Sequence, residues 1–133
     1  MPMTTLQFDL ATPDALKLSE AVDMVEVPGE GGDFGVLPGH APFMSIIRPG
    51  VVTVHRDGKA ERFFVTAGYA EVNPQGCIVL AEHLYDLAKT TKEEAMTKRD
   101  DALRQLDSAI DELEKTRLER QLNTFEALVE AVI

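Results

Sequence analysis

Three histidines, one cysteine and a glycine-rich run are the residues of this 133-residue chain that could carry chemistry. His40, His55 and His83 are scattered, without His-x-His or His-x-x-x-His spacing, and Cys77 has no second cysteine to pair with. Zinc and iron sites draw their ligands from such clusters, so a small jelly-roll metalloenzyme is not expected. Cys77 precedes Ile78 and Val79 and reads as a small buried hydrophobe rather than a reactive thiol. The run from Gly31 to Gly50, GGDFGVLPGHAPFMSIIRPG, lacks the Gly-Lys-Ser/Thr ending of a phosphate-binding loop. It also leads into a strand instead of a helix N-terminus. No serine stands in a Gly-x-Ser-x-Gly elbow. Carboxylates are plentiful, but those of the tail follow a solvent face. No catalytic constellation and no cofactor or metal site is expected.

Bulk properties narrow the classes further. The length suits one ordinary domain, or a small domain with an appendage. Apolar content of 44% and charged content of 27% are globular values. A net charge of −10 argues against a nucleic-acid binder, which needs a basic face, and against adhesion to anionic lipid. No apolar run approaches the roughly 20 residues that span a bilayer. Met1 to Phe8 lacks the basic flank and apolar core of a signal peptide and is not Arg-rich. A cytosolic chain is expected.

Two structural regimes must position these residues. All nine glycines and all seven prolines lie at or before Gly76. The first regime is β. Leu6, Phe8 and Leu10 alternate with polar neighbours. Further apolar runs cover 22–27, 43–48, 51–56, 60–66, 70–73 and 77–81, and Ala15 to Ser19 reads as a short strand. Asp57-Gly58 between two alternating runs predicts a tight hairpin. Strands this short and this frequent predict a β-sandwich or flattened barrel of eight to ten strands.

The second regime is helical. From Leu84 onward good helix formers dominate. Ala95, Arg99, Ala102, Leu106, Ile110 and Leu113 mark one narrow stripe. Leu118, Leu122, Phe125, Val129 and Val132 mark a stronger one, out of phase with the first. Asp111 and Glu114 have capping-box spacing. The prediction is an antiparallel hairpin of helices over 88–106 and 112–131. The rival is one continuous helix of ~45 residues, ~68 Å long. The fold class is therefore α+β, mainly β. The expected organisation is a sandwich domain over 1–84 and a helical hairpin over 85–133.

The elements Gly-Asp-Phe-Gly (32–35), Leu-Pro-Gly-His-Ala-Pro (37–42) and Arg-Pro-Gly (48–50), in this order and spacing, resemble the epsilon subunit of F-type rotary ATP synthases of the bacterial type. The resemblance continues through Ala67-Gly68-Tyr69-Ala70-Glu71-Val72 to Val79-Leu80-Ala81. It implies a non-catalytic rotor subunit, monomeric when isolated. Such a subunit joins gamma to the membrane c-ring and lies peripherally at the cytoplasmic face of the inner membrane.

The resemblance also implies partner-binding positions. Glu30, Gly31, Gly32 and Asp33 match the acidic loop that meets basic loops of the c-ring. Their plain reading is a turn. His40 and Pro42 match the corner facing gamma, and the plain reading of His40 is a ring satisfying nearby backbone. Arg104, Lys115, Arg117 and Arg120 are the tail's candidates for contacts with alpha, beta or gamma. Their plain reading is pairing with acids one turn away, such as Glu112 with Lys115.

The tail departs from the family's pattern. The ATP-binding motif of some epsilon subunits, Ile/Leu-Asp-x-x-Arg-Ala, falls on 85–90 when aligned from the sandwich side, where Asp86 remains but Lys89 stands for Arg and Thr90 for Ala. Aligned from the helix side, Thr91 and Glu94-Ala95 stand there, and both Asp and Arg are gone. Lysine lacks the planar fork of arginine, so weak or no ATP binding and weak inhibition of hydrolysis are expected. An alternative from a different class is a stand-alone adaptor that dimerises through the Leu118 to Val132 stripe.

Overall fold

Alternation of buried and exposed positions along the first half of the chain sets up a sheet with one face inward. In the computed structural model, which describes residues 4–132, ten strands precede two helices. They are β1 (Leu6–Thr12), β2 (Ala15–Val22), β3 (Met24–Gly29), β4 (Gly32–Val36), β5 (Phe43–Ile47), β6 (Gly50–Arg56), β7 (Lys59–Val65), β8 (Gly68–Asn73), β9 (Gly76–Ala81) and β10 (Leu84–Asp86). The helices are α1 (Lys92–Ser108) and α2 (Glu112–Ala131).

The strands run in the order β10-β7-β6-β3-β5-β8-β9-β1-β2, with β4 paired to β3. All pairings are antiparallel except that of β1 with β9. The inward faces supply one core, in which Phe8, Leu10, Val22, Val25, Val36, Val54, Val65 and Val79 are almost wholly buried. Arg56 Nη1 donates to Glu20 Oε2 at 2.5 Å, tying β6 to β2 at the far end of the strand order. The α+β class with a β-sandwich and a two-helix tail therefore stands.

Turn chemistry explains the register. Asp57 and Gly58 have φ of 52° and 75°, and Arg56 pairs with Lys59 across them. Two positive φ values in a two-residue connection match the right-handed twist of the flanking strands, as the Asp-Gly pair predicts. Gly68 answers a different need. A Cβ there would lie 1.9 Å from the backbone oxygen of Leu80 on the neighbouring strand, so only glycine lets β8 and β9 approach.

Several expected bounds shift. The run 22–27 is two strands, not one. The chain turns at Asp23, whose N–H donates to the His55 carbonyl at 2.8 Å. Residues 84–86 are strand, not helix: Leu84, Tyr85 and Asp86 pair with Val65, Phe64 and Phe63, and the Tyr85 ring lies 6.3 Å from that of Phe64. The first helix starts at Lys92, not 88. Thr91 caps it with a full capping box, its hydroxyl accepting from the Glu94 N–H while Glu94 accepts from the Thr91 N–H. Ala109 is extended, with φ −73° and ψ 137°, so two helices form instead of one. Ile110 and Leu113 leave the apolar stripe and stand 90% and 81% exposed. Asp111 does cap α2, but its carboxylate accepts from the Leu113 N–H rather than from Glu114.

Two compact units result, Met1–Ala88 and Lys89–Ile133. In the second, α1 and α2 pack against one another, and Ala95, Ala102, Leu118, Leu128 and Val132 are buried. No helix among the described residues is long and apolar enough to cross a membrane.

Candidate functional site

The Gly31 to Gly50 stretch folds into a braced corner. Glu30 and Gly31 form the turn between β3 and β4, across which Gly29 faces Gly32 and Pro28 faces Asp33. The turn is fixed from beneath. The Glu30 N–H donates to the Ile46 carbonyl at 2.8 Å, and the Arg48 N–H to the Pro28 carbonyl at 3.0 Å. The Arg48 guanidinium donates at 2.6 Å both to the Gly29 carbonyl and to Asp33 Oδ1. Asp33 thus already has a cation of this chain at its carboxylate, while Glu30 is exposed at the tip.

His40 and Pro42 occupy the next corner. The Gly39 N–H donates to the Pro74 carbonyl at 3.0 Å, pinning the loop to the β8–β9 turn. His40 Nδ1 donates to the Ala41 carbonyl at 2.6 Å, the local backbone contact of the plainer reading. Around it the surface is apolar. Leu37 and Phe43 are 57% and 47% exposed, and Phe43 meets Phe34 edge to face at 5.2 Å.

The outer face of the same sheet holds a feature that strand-by-strand reading does not show. Register aligns Ile46 on β5 with Tyr69 on β8, Leu80 on β9, Ala11 on β1 and Leu16 on β2. These five residues form one row across five strands on the face opposite the core. Met44 and Ile78 extend it on the next row, on either side of Glu71. Met44, Ile46 and Leu16 are each more than 60% exposed, and Tyr69 and Ile78 more than 40%. A contiguous apolar face on a charged protein marks a site of association. The Asp9, Ser19 and Gln7 hydrogen-bond cluster gives it a polar margin.

The remaining sequence candidates are dispersed. Asp86 Oδ1 accepts from the Ala88 N–H at 3.0 Å, closing a turn after β10, and Lys89 is exposed. In the tail, Arg104 pairs with Asp101, and Lys115 lies 3.5 Å from Glu112 Oε1. Arg117 and Arg120 are exposed on α2. Of the histidines, His55 Nε2 meets Glu26 Oε2 at 2.9 Å on the outer face of β3 and β6, and His83 sits between β9 and β10. Burial pushes the Cys77 thiol up to about 12, so it stays neutral and unreactive near pH 7.

The model for the ATP synthase, Delta/Epsilon chain, beta-sandwich domain matches residues 5–86. The chain belongs to this family. Its resemblance to epsilon subunits therefore holds over the whole sandwich, β10 included. The ATP synthase epsilon chain of Rhodospirillum rubrum is 48% identical over 90 residues, covering 67% of each chain. That of Maricaulis maris is 52% identical over 89 residues, again 67% of each. Among solved structures, a chain of the Euglena gracilis mitochondrial ATP synthase OSCP/F1/c-ring assembly has a TM-score of 0.84 at 24% identity. It is matched over 100% of this family member and 84% of its own length. A chain of the Tetrahymena thermophila central stalk/c-ring assembly has a TM-score of 0.66 at 10% identity, with both chains fully covered. At these identities the structural likeness speaks for the fold.

Proposed function

We propose that this chain is the non-catalytic epsilon subunit of a rotary ATP synthase, joining gamma to the c-ring within the central stalk. Family membership supports the complex, and one structural observation supports the joint: the uncovered apolar row from Ile46 to Leu16 on a rigid sandwich. Torque transfer needs a body that deforms little, which a close-packed core provides. The row, with the Leu37, His40, Pro42 and Phe43 corner, is the surface that docks gamma. The acidic turn of Glu30 to Asp33 meets basic loops of the c-ring, where charge complementarity sets register more than affinity. Membrane association is peripheral, through the complex. The tail modulates ATP hydrolysis weakly through Arg104, Lys115, Arg117 and Arg120, two of which are already engaged by acids of their own helices. Asp86 and Lys89 leave ATP binding weak or absent.

The adaptor reading needs the stripe of Leu118, Leu122, Phe125, Val129 and Val132 free for a second copy, yet Leu118 and Val132 are buried and the other three half-buried within the single chain. That burial supports a monomer.

Titration with purified gamma subunit tests the proposal. The unsubstituted chain is expected to bind. Ile46→Asp places a charge in the middle of the row without touching the core and is expected to weaken binding roughly a hundredfold, as loss of an interface anchor does. Equal binding by both chains removes the row from the joint.

A further inference from the structure

Helix α2 ends without a cation of its own: its last turn holds Glu130 and no basic residue. A helix C-terminus presents unsatisfied carbonyls and a partial negative charge, and a nearby ammonium stabilises both. That ammonium comes from the other helix. Lys92, the first residue of α1, donates from Nζ to the carbonyl of Val129 at 3.0 Å and to that of Val132 at 3.2 Å. Both bonds cross the hairpin at the end away from its turn. Nearly two turns further in, Lys98 Nζ lies 6.0 Å from the Phe125 ring centroid, a second cation of α1 set on α2.

Geometry explains why the position of Lys92 matters. Thr91 and Glu94 fix the start of α1 through their capping box, so the stem of Lys92 leaves the helix at a defined point. Val132 is a capping residue whose N–H donates to the Leu128 carbonyl at 3.1 Å, so the acceptors are also held in place. Elsewhere the buried positions of the two helices are apolar: Ala95 and Ala102 on α1, Leu118 and Leu128 on α2. Parting of the two helices would break both bonds, so they favour the closed hairpin alone.

We propose that Lys92 is the clasp that holds the two-helix tail shut, and that removing its charge shifts the tail toward an opened form. The clasp is a property of this chain alone. Its regulatory consequence rests on the epsilon reading above.

Amide hydrogen exchange on the full isolated chain tests the clasp directly. Lys92→Met keeps the stem and removes the charge. It is expected to speed exchange at Leu128 to Val132 roughly fivefold, the size of one helix-terminus charge contact. Lys92→Arg keeps a donor cation and is expected to retain most of the protection. Exchange in Lys92→Met equal to that of the unsubstituted chain overturns the clasp, as does exchange in Lys92→Arg equal to that of Lys92→Met.

ATP hydrolysis by an epsilon-depleted complex, supplied with each chain, then tests the consequence. Lys92→Met is expected to inhibit hydrolysis more than the unsubstituted chain does. Faster exchange with unchanged hydrolysis confines Lys92 to a structural role and overturns the regulatory part. Failure of every chain to bind the complex removes the epsilon reading, while the exchange data still decide the clasp.

Discussion

Arg48 is the residue on which the acidic turn depends. It holds the Gly29 carbonyl and the Asp33 carboxylate at once, so the turn is braced by residues of this chain. Arg48→Ala is expected to lower unfolding free energy by about 0.5–1 kcal/mol, since the pair is solvent-exposed and screened. Chemical denaturation measures this. Under the proposed function a larger effect is expected on c-ring binding, because the Asp33 carboxylate would lose the cation that orients it. Cys77 gives a pH-dependent expectation. Its thiol rises from 9.0 to about 12 on burial, so the unfolded chain ionises first as pH rises. The folded state therefore loses stability between about pH 9 and 12, and Cys77→Ala removes that component. Denaturation midpoints across this range, compared for the two chains, check the sign. Cys77 was legible in the sequence because its neighbours are apolar. The Asp33–Arg48 pair was not, because fifteen residues separate partners that only the β3–β5 crossing brings together.

At the scale of elements, local signals that carry their own geometry were readable and those that depend on neighbours were not. Asp57-Gly58 announced its hairpin because few other pairs accept two positive φ values. Gly58→Val is expected to destabilise the domain by about 1–2 kcal/mol, read as a lowered melting temperature. Thr91 and Glu94 also form a local signal, but the helix-former composition from Leu84 onward hid where α1 begins. Thr91→Ala is expected to cost about 1 kcal/mol and to fray the first turn of α1, seen as faster exchange there. Strand β10 was missed for a physical reason. Leu84, Tyr85 and Asp86 lack alternation long enough to read, and they become a strand only because β7 offers an open edge. The apolar row is the same lesson for the site. Met44, Ile46, Tyr69, Ile78 and Leu80 were all visible as apolar residues. Their alignment is a matter of register, which no single strand contains.

At the scale of the molecule, the change of composition after Gly76 anticipated two units but not where they part. A chain cut at the expected boundary of residue 84 would lose Tyr85 and Asp86 from β10 and expose the edge of β7. A chain ending at Ala88 keeps the family's whole matched span and is expected to bind gamma as the full chain does. Under the proposed function the division also separates roles, with the joint assigned to the sandwich and regulation to the tail.

The measurement that tests this most directly is ATP-driven proton pumping by an epsilon-depleted synthase in sealed vesicles, with the full chain or its Ile46→Asp variant added back. The full chain is expected to restore pumping, and Ile46→Asp to do so only at far higher concentration. Restoration by neither chain would contradict the assignment to the stalk, and equal restoration by both would contradict the role of the apolar row.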